Sequence, residues 1–433
     1  MNIKKLLPAI ITAVLSIFAV IFSYIFSQFP ENVKPISLLG KLGIYTEGAL
    51  CTVENNDVFT NGTHELYTSL LKKFAVNNTF NIAISFTIIS ILFVTALIII
   101  SKAASKTNYK WTAYVCAILL PFVFGDFTNT AFFKTFYINS LILVTLLLIC
   151  SVFMLIYHKN SIGPVGVISV GILTVIYSCL GVVSAITAII LGLLIARLYT
   201  ISKNKTTKII AVIMGCFIVL QSIAFVFTYK SVDYEQNIYN SVFYGVAKYD
   251  SVSELGLDPK LDELKNTYYN DEIKVEYDLD NTFYNKISYT DIAKYYITHP
   301  TNAYKIINEQ SKLSAMHYYN FGISPYNFIK TRIPTGLPIV AIVTIAFLFI
   351  ANILRKKYIH IKPIVEFLAG ISVMWLLSLI VGSIYYGNCD MAMNMTVYNT
   401  LYDIVLLIIL IGGTRVVLHR QDEKKAEFGI THE

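Results

Sequence analysis

Residues 164–199 read PVGVISVGILTVIYSCLGVVSAITAIILGLLIARLY, an apolar run interrupted only by Arg197 near its end. A spanning helix needs about 20 apolar residues to cross the hydrocarbon core of a bilayer. The run is therefore too long for one ordinary span and reads as two, 164–180 and 183–199, divided near Gly181. Working outward, further apolar runs fall at 7–27, 82–101, 112–124, 138–157, 209–229, 336–354, 364–386 and 396–418. With the divided run they predict ten spans. The run at 112–124 is short, so its far end is expected to be irregular and buried in protein.

Lys and Arg placement supports that count, because short cytoplasmic loops carry the excess of basic residues. An even number of spans with the N-terminus inside puts Lys102/Lys106/Lys110, Lys159, Lys203/Lys205/Lys208, Arg355/Lys356/Lys357 and Arg415/Arg420/Lys424/Lys425 on the cytoplasmic side. Lys134 alone falls on a short outer loop. Without the division at Gly181 the 203–208 cluster would lie outside. The first run follows Lys4 and Lys5 and shows no small-x-small cleavage site, so it is expected to stay as a span rather than leave as a signal peptide. Both termini are expected in the cytoplasm of a multi-pass cell-membrane protein.

Composition agrees with the spans. Of 433 residues, 55% are hydrophobic and only 14% charged, with mean hydropathy +0.61 and net charge +7. A soluble protein carries about 25% charged residues to keep its surface wet. Secreted, cytosolic and disordered classes are thereby excluded. The fold class is an all-α integral membrane protein of about ten transmembrane helices with a mainly helical extracytoplasmic domain. Spans one to seven and the outer loop 28–81 occupy 1–229, the extracytoplasmic domain 230–335, spans eight to ten 336–418, and a cytoplasmic tail 419–433.

In the outer loop, Leu66, Leu70, Leu71 and Phe74 recur at helical spacing and predict an amphipathic helix over 63–76 lying in the membrane interface. In the tyrosine-rich 230–335 segment, Asp258-Pro259 is expected to start one helix and Thr290 another, with Thr301 capping a third through Ala303–Met316. Cys116, Cys150, Cys179 and Cys216 fall inside spans, whereas Cys51 and Cys389 fall on the outer side and are candidates for a bridge. No CxxC or HExxH spacing gives a structural zinc signature. No phosphate-cradling GxxxxGK[ST] occurs, so the chain carries no nucleotide-hydrolysing site of that kind. No cofactor is identified, although a divalent metal is compatible with the acids.

Charge within a membrane is costly and usually functional. Asp126 ends the short third span, and Lys134, Tyr137 and Asn139 follow it at the outer boundary. Asp403 lies about two turns into the last span and is the most deeply placed acid. Glu54 and Asp57 precede the amphipathic stretch; His299, Lys330 and Arg332 belong to the outer segment, the last two just before span eight. Capping by Asp126, headgroup contact by Lys134, Lys330 and Arg332, and a tyrosine partner for Asp403 are the structural readings of these residues. Read together they suit transfer of a sugar from a lipid phosphate. A carboxylate would remove the acceptor hydroxyl's proton, and cations would stabilise charge on the departing phosphate.

The stretch Asp126-Phe127-Thr128-Asn129-Thr130-Ala131-Phe132-Phe133-Lys134-Thr135-Phe136-Tyr137-Ile138-Asn139 resembles one in bacterial membrane hexose transferases of the WsfD type. There, an Asp is followed by an aromatic pair and then Ser-Phe-Tyr-Gly-Glu at the same spacing. Ile238-Tyr239-Asn240-Ser241-Val242-Phe243-Tyr244-Gly245, Leu255-Gly256-Leu257-Asp258 and His299-Pro300 are similar to later parts of that family, so the resemblance spans roughly 110–330. It implies a GT-C-like glycosyltransferase that uses a polyprenyl-phosphate sugar at the outer face, in cell-wall or surface glycan assembly. Asp57, Asp126 or Glu54 would serve as catalytic acids, Lys134, Arg332 and His299 would meet the donor phosphate, and Tyr137, Asn139 and Asp403 would line the substrate pocket. The family pattern carries Glu where this chain has Asn139, which cannot act as a base, so that role would pass to Asp126 or be lost. The partners implied are the lipid-linked donor, a glycan or lipid-linked acceptor and membrane lipids, with no nucleic acid. A non-catalytic scaffold, a glycan polymerase and a flippase are the alternatives. The single arginine of 230–335, Arg332, argues against the polymerase, and the lack of an internal repeat argues against a carrier.

Overall fold

The structure is a computed structural model describing residues 3–26, 44–47, 50–53, 79–104, 110–134, 138–159, 162–229, 234–313, 325–357, 362–389 and 394–427. Helices α1 (Ile3–Phe26), α2 (Ile82–Ala104), α3 (Lys110–Phe124), α4 (Phe127–Thr130), α5 (Ile138–Lys159), α6 (Pro164–Ser178), α7 (Val182–Arg197) and α8 (Lys205–Thr228) make the first part of a bundle. Seven described helices are long and apolar enough to cross a membrane. The pair α3 and α4 with the turn to Lys134 forms a bent eighth, and α6 and the stretch Thr396–Ile411 are shorter apolar helices. These ten segments coincide with the ten apolar runs. The chain is a multi-pass membrane protein.

The division at Gly181 is real. α6 ends at Ser178, and Gly181 precedes α7 in an extended conformation. The hairpin is tied by Tyr177 and Thr187, whose hydroxyls lie 2.7 Å apart, and α6 is joined to α8 by Ser178 Oγ donating to Gln221 Oε1 at 2.7 Å. Hydrophobic transfer does not drive helices together within lipid, so close packing must. α7 and α8 meet where both lack bulk: a Cβ on Gly215 would lie 2.6 Å from the Gly192 carbonyl oxygen and 2.6 Å from the Ala196 Cβ.

Three strands between α1 and α2 are a feature the sequence reading lacked. β1 (Ile44–Glu47), β2 (Leu50–Val53) and β3 (Thr79–Asn81) form an antiparallel sheet in that order, with Ile44 opposite Val53 and Leu50 opposite Asn81. Ile44, Thr46, Thr52 and Val53 are β-branched and favour strands. The amphipathic stretch 63–76 lies outside the described residues.

Residues 234–313 are helical, with α9 (Tyr234–Asn240), α10 (Asp271–Glu276), α11 (Tyr289–Thr298) and α12 (Pro300–Leu313) joined by short 3-10 and π turns. Asp258 caps the turn at Pro259 by accepting from the Lys260 amide at 3.0 Å, as expected. α11 starts one residue before Thr290, because Ser288 and Asp291 form a reciprocal capping box. α12 starts at Pro300, a residue suited to a first helical position since it lacks the amide that would have no partner there. Thr301 therefore lies within the first turn rather than capping it. Tyr239, Phe243 and Phe283 pack ring against ring as the segment's core.

After α13 (Pro325–Lys330) come α14 (Leu337–Lys357), α15 (Lys362–Tyr386) and α16 (Thr396–Glu427). The helical segment docks on the C-terminal end of α15, where carbonyls have no intrahelical amide. Gln310 Nε2 donates to the carbonyls of Ser383 (3.3 Å) and Gly387, Ser241 Oγ to that of Ile384, and Tyr289 OH to that of Tyr385 (3.3 Å). Side chains of three different elements thus cap one helix end, fixing the segment to the bundle.

Lys248 Nζ and the Tyr249 hydroxyl donate to the two oxygens of Glu309, adding a polar tie within the segment. Desolvation pushes the Glu309 carboxyl up, but the bonds from Lys248 and Tyr249 and the Lys248 charge outweigh it and leave the carboxyl below its ordinary range. A depressed folded pKa gives stability that is present above the unfolded value, about 4.3, and disappears as pH falls through the folded one. The thermal midpoint in detergent is expected to drop on acidification below about pH 5. Glu309→Gln should lower the midpoint at neutral pH and flatten that acid slope. An unchanged slope in the variant would assign the acid sensitivity elsewhere.

Candidate functional site

Asp126 sits where α3 gives way to α4, a bend of 55°. Its backbone leaves the helix (φ −52°, ψ 140°), and its Oδ1 accepts from the Thr128 amide at 2.9 Å and the Thr128 hydroxyl at 2.5 Å. A short polar side chain that bonds nearby amides favours such an N-cap over a helix interior. The carboxylate is buried, 6% exposed, although it lies at the end of an apolar helix.

Asp403 is buried more deeply, in α16, and is 1% exposed. Lys330 Nζ lies 2.9 Å from its Oδ1, and the Tyr326 hydroxyl donates to the same oxygen. Tyr326 and Lys330 are four residues apart on α13, one helical turn, so a single face presents both donors to one carboxylate. The Lys330 ammonium is itself buried and lies 5.2 Å from the Tyr402 ring centre. Burial, then the Asp403 charge and hydrogen bond, and then Tyr402 and Asp126, push the Tyr326 phenol well above its ordinary range. Phe122, on α3, lies one turn before Asp126 and packs on Tyr326, which brings the Asp126 end of α3 to the Tyr326–Asp403 pair. Phe122 and Tyr326 meet edge to face at 5.9 Å, and Trp375 stacks on Tyr398 and packs against Tyr402. The Tyr402 hydroxyl is buried and has no hydrogen-bond partner among the described residues.

The remaining site residues of the sequence reading fall as follows. Asn139 Nδ2 donates to Thr396 Oγ1, joining the starts of α5 and α16. Lys134 Nζ stands 4.6 Å from the Tyr24 ring centre. Arg332 lies over the Phe328 ring at 3.4 Å, and its Nη1 donates to the Phe328 carbonyl at 3.5 Å. His299 caps α11, its Nδ1 3.0 Å from the Tyr295 carbonyl oxygen and its ring stacked on Tyr295. Glu54, Asp57 and Tyr137 lie outside the described residues, as does the side chain of Cys51, the bridge candidate for Cys389. The structure thus groups Asp126 with Asp403 and engages Arg332 and His299 with their own segments. Among the described residues, no three His, Cys, Asp or Glu side chains converge as metal ligands.

Compared with protein families, residues 63–429 match the YfdI N-terminal transmembrane domain. The chain belongs to that family. The match reaches from the connection between α1 and α2 to the end of α16, so in this YfdI-family chain the domain contains every element of the Asp126–Asp403 cluster. No curated protein and no solved structure matches the chain.

Tyr326 is the residue of this cluster that the sequence reading passed over, and Lys330 the one whose partner it did not find. Lys330 was expected to meet headgroups; it is 3% exposed and pairs with Asp403 instead, since a carboxylate two turns inside a span demands a partner. The signal was present in the Tyr-x-x-x-Lys spacing of 326–330 just before a span. What was missing was which acid it would face.

Proposed function

We propose that this protein is a membrane glycosyltransferase that moves a sugar from a polyprenyl-phosphate donor to a cell-surface or cell-wall glycan acceptor at the outer face. The observation that carries the reading is the gathering of Asp126, Asp403, Lys330 and Tyr326 into one buried cluster at the end of the bundle that bears the helical segment. In the reaction, the Asp126 carboxylate takes the proton of the acceptor hydroxyl, whose oxygen forms a bond to the sugar's anomeric carbon. The bond from that carbon to the phosphate oxygen breaks, and polyprenyl phosphate leaves with the electron pair. Lys330 supplies positive charge for the leaving phosphate, Lys134, Arg332 and His299 are the further residues proposed to meet it, and Asp403 holds Lys330 in place. Tyr137 and Asn139 are the residues proposed to meet the substrate, and Glu54 or Asp57, which follow β2 in the sequence, are the other acids open to the base role.

The test is turnover of a polyprenyl-phosphate sugar by the purified protein in lipid nanodiscs. Asp126→Asn keeps the size and capping oxygen but loses the base, and is expected to cut turnover about a hundredfold. Unaltered turnover would remove Asp126 from the mechanism. Absence of transfer from any such donor favours the second reading, a non-catalytic scaffold in glycan assembly. That reading draws on the same geometry: Asp126 already caps a helix, Asp403 already holds a cation, and Asn139 already bonds Thr396.

A further inference from the structure

Helix α13 is built inside out. Its buried residues are Tyr326, Asn327 and Lys330, at 4%, 7% and 3% exposure, while Phe328 and Ile329 stand 45% and 48% exposed. A helix on a water-facing surface does the reverse, hiding its apolar stripe and wetting its polar one. α11 of the neighbouring segment follows that ordinary pattern, with Ile292 buried and Asp291 and Lys294 exposed. The inward turn of Tyr326 and Lys330 has its own cause, since both serve Asp403. It does not require the outward side chains to be apolar. A large apolar pair standing outside a buried polar face calls for an apolar medium.

Two neighbours identify that medium. Phe122 is 39% exposed on α3, part of a bent span, and meets Tyr326 edge to face at 5.9 Å. α13 therefore lies beside a lipid-facing part of α3. Only residues 331–336 separate α13 from α14, a span whose Ile339 and Ile342 are also exposed. The apolar face of α13 thus continues the surface that the bundle turns to lipid. Arg332 marks the depth. It is exposed, and its guanidinium lies 3.4 Å over the Phe328 ring. A cation resting on an apolar ring at the end of a span suits the level of the lipid phosphates, with its stem in hydrocarbon and its charge outside.

We propose that α13 is seated in the membrane leaflet on the side of the helical segment, with Phe328 and Ile329 against the upper part of the acyl chains. The Asp403–Lys330 pair is thereby parted from lipid by one helix. The proposal is independent of the transferase reading, and its test reads lipid contact alone. The full-length protein in liposomes is photolysed with a phosphatidylglycerol that carries a diazirine near the carboxyl end of one acyl chain, and labelled peptides are read by mass spectrometry. Labelling of 328–329 is expected to come within about threefold of that at Phe227, exposed at the end of α8, and to exceed that at Val275 at least tenfold. Val275 is 80% exposed but shares α10 with the exposed Glu272 and Glu276, which makes it the water-facing control. Hydroxyl radicals generated in the aqueous phase should oxidise Phe328 at no more than about a tenth of the rate of the exposed Tyr268, once corrected for intrinsic reactivity. Both measurements use the unmodified chain. Labelling of 328–329 no greater than at Val275, or oxidation of Phe328 at the rate of Tyr268, would overturn the proposal. Protection from both probes would overturn it too, since a second copy of the chain would then cover this face.

Discussion

Replacing Lys330 with methionine is expected to destabilise the protein by about 3–5 kcal/mol, the cost of leaving one member of a buried ion pair without its partner. Asp403 is 1% exposed and Lys330 3%, so water cannot substitute for either charge. Tyr326 would still donate to the carboxylate, but a phenol supplies no compensating charge. Asp403→Leu should be damaging for the converse reason, since it leaves the ammonium buried beside the Tyr402 ring. The double variant Lys330→Met with Asp403→Leu is expected to recover most of the loss, because a buried pair replaced by apolar groups is often close to neutral. Denaturant unfolding in mixed micelles measures all four states of this cycle. Single variants as stable as the parent would mean that the pair is not buried as described. Recovery of stability in the double variant without recovery of sugar transfer would separate the pair's catalytic contribution from its structural one.

Gly387→Ala should have an effect of similar size by a different route. Gly387 follows the last turn of α15 with φ +57°, a left-handed conformation that costs an alanine about 1–2 kcal/mol. An added Cβ would also lie 2.2 Å from the Asn240 carbonyl oxygen and 3.1 Å from the Gly245 amide nitrogen, all backbone atoms that no rotamer change can move away. Overpacking of this kind adds about 1–3 kcal/mol. The clash falls where Gln310, Ser241 and Asn388 stitch the helical segment to α15. The variant is therefore expected to loosen residues 234–313 while leaving the spans inserted. Limited proteolysis in nanodiscs checks this: cleavage within 234–313 should accelerate at least tenfold, and the same rate as the parent would show that this glycine does not set the docking.

The ten apolar segments were legible because each exceeds or approaches the hydrocarbon thickness, a property of consecutive residues alone. Even the break at Gly181 could be read from length and from the basic cluster at 203–208. Helix starts in the outer segment were legible to within a residue where a capping residue is local, as at Asp258. They slipped at Thr301 because Pro300 took the first position. The small sheet between α1 and α2 went unread because its strands are three or four residues long, too short for a period to stand out.

The sequence alone determined a polytopic helical membrane protein with acids where apolar spans end, because burial in lipid writes itself into runs of neighbouring residues. Only the tertiary structure decided that Asp403 meets Lys330 and Tyr326 and shares a cluster with Asp126, and that Gln310, Ser241 and Tyr289 cap α15. Those partners stand 73 to 277 positions apart along the chain or are chosen among several equivalent cations and donors. An ion pair buried in a bundle depends on which helix faces meet, and that is settled by the packing of all the helices together rather than by any one stretch of residues.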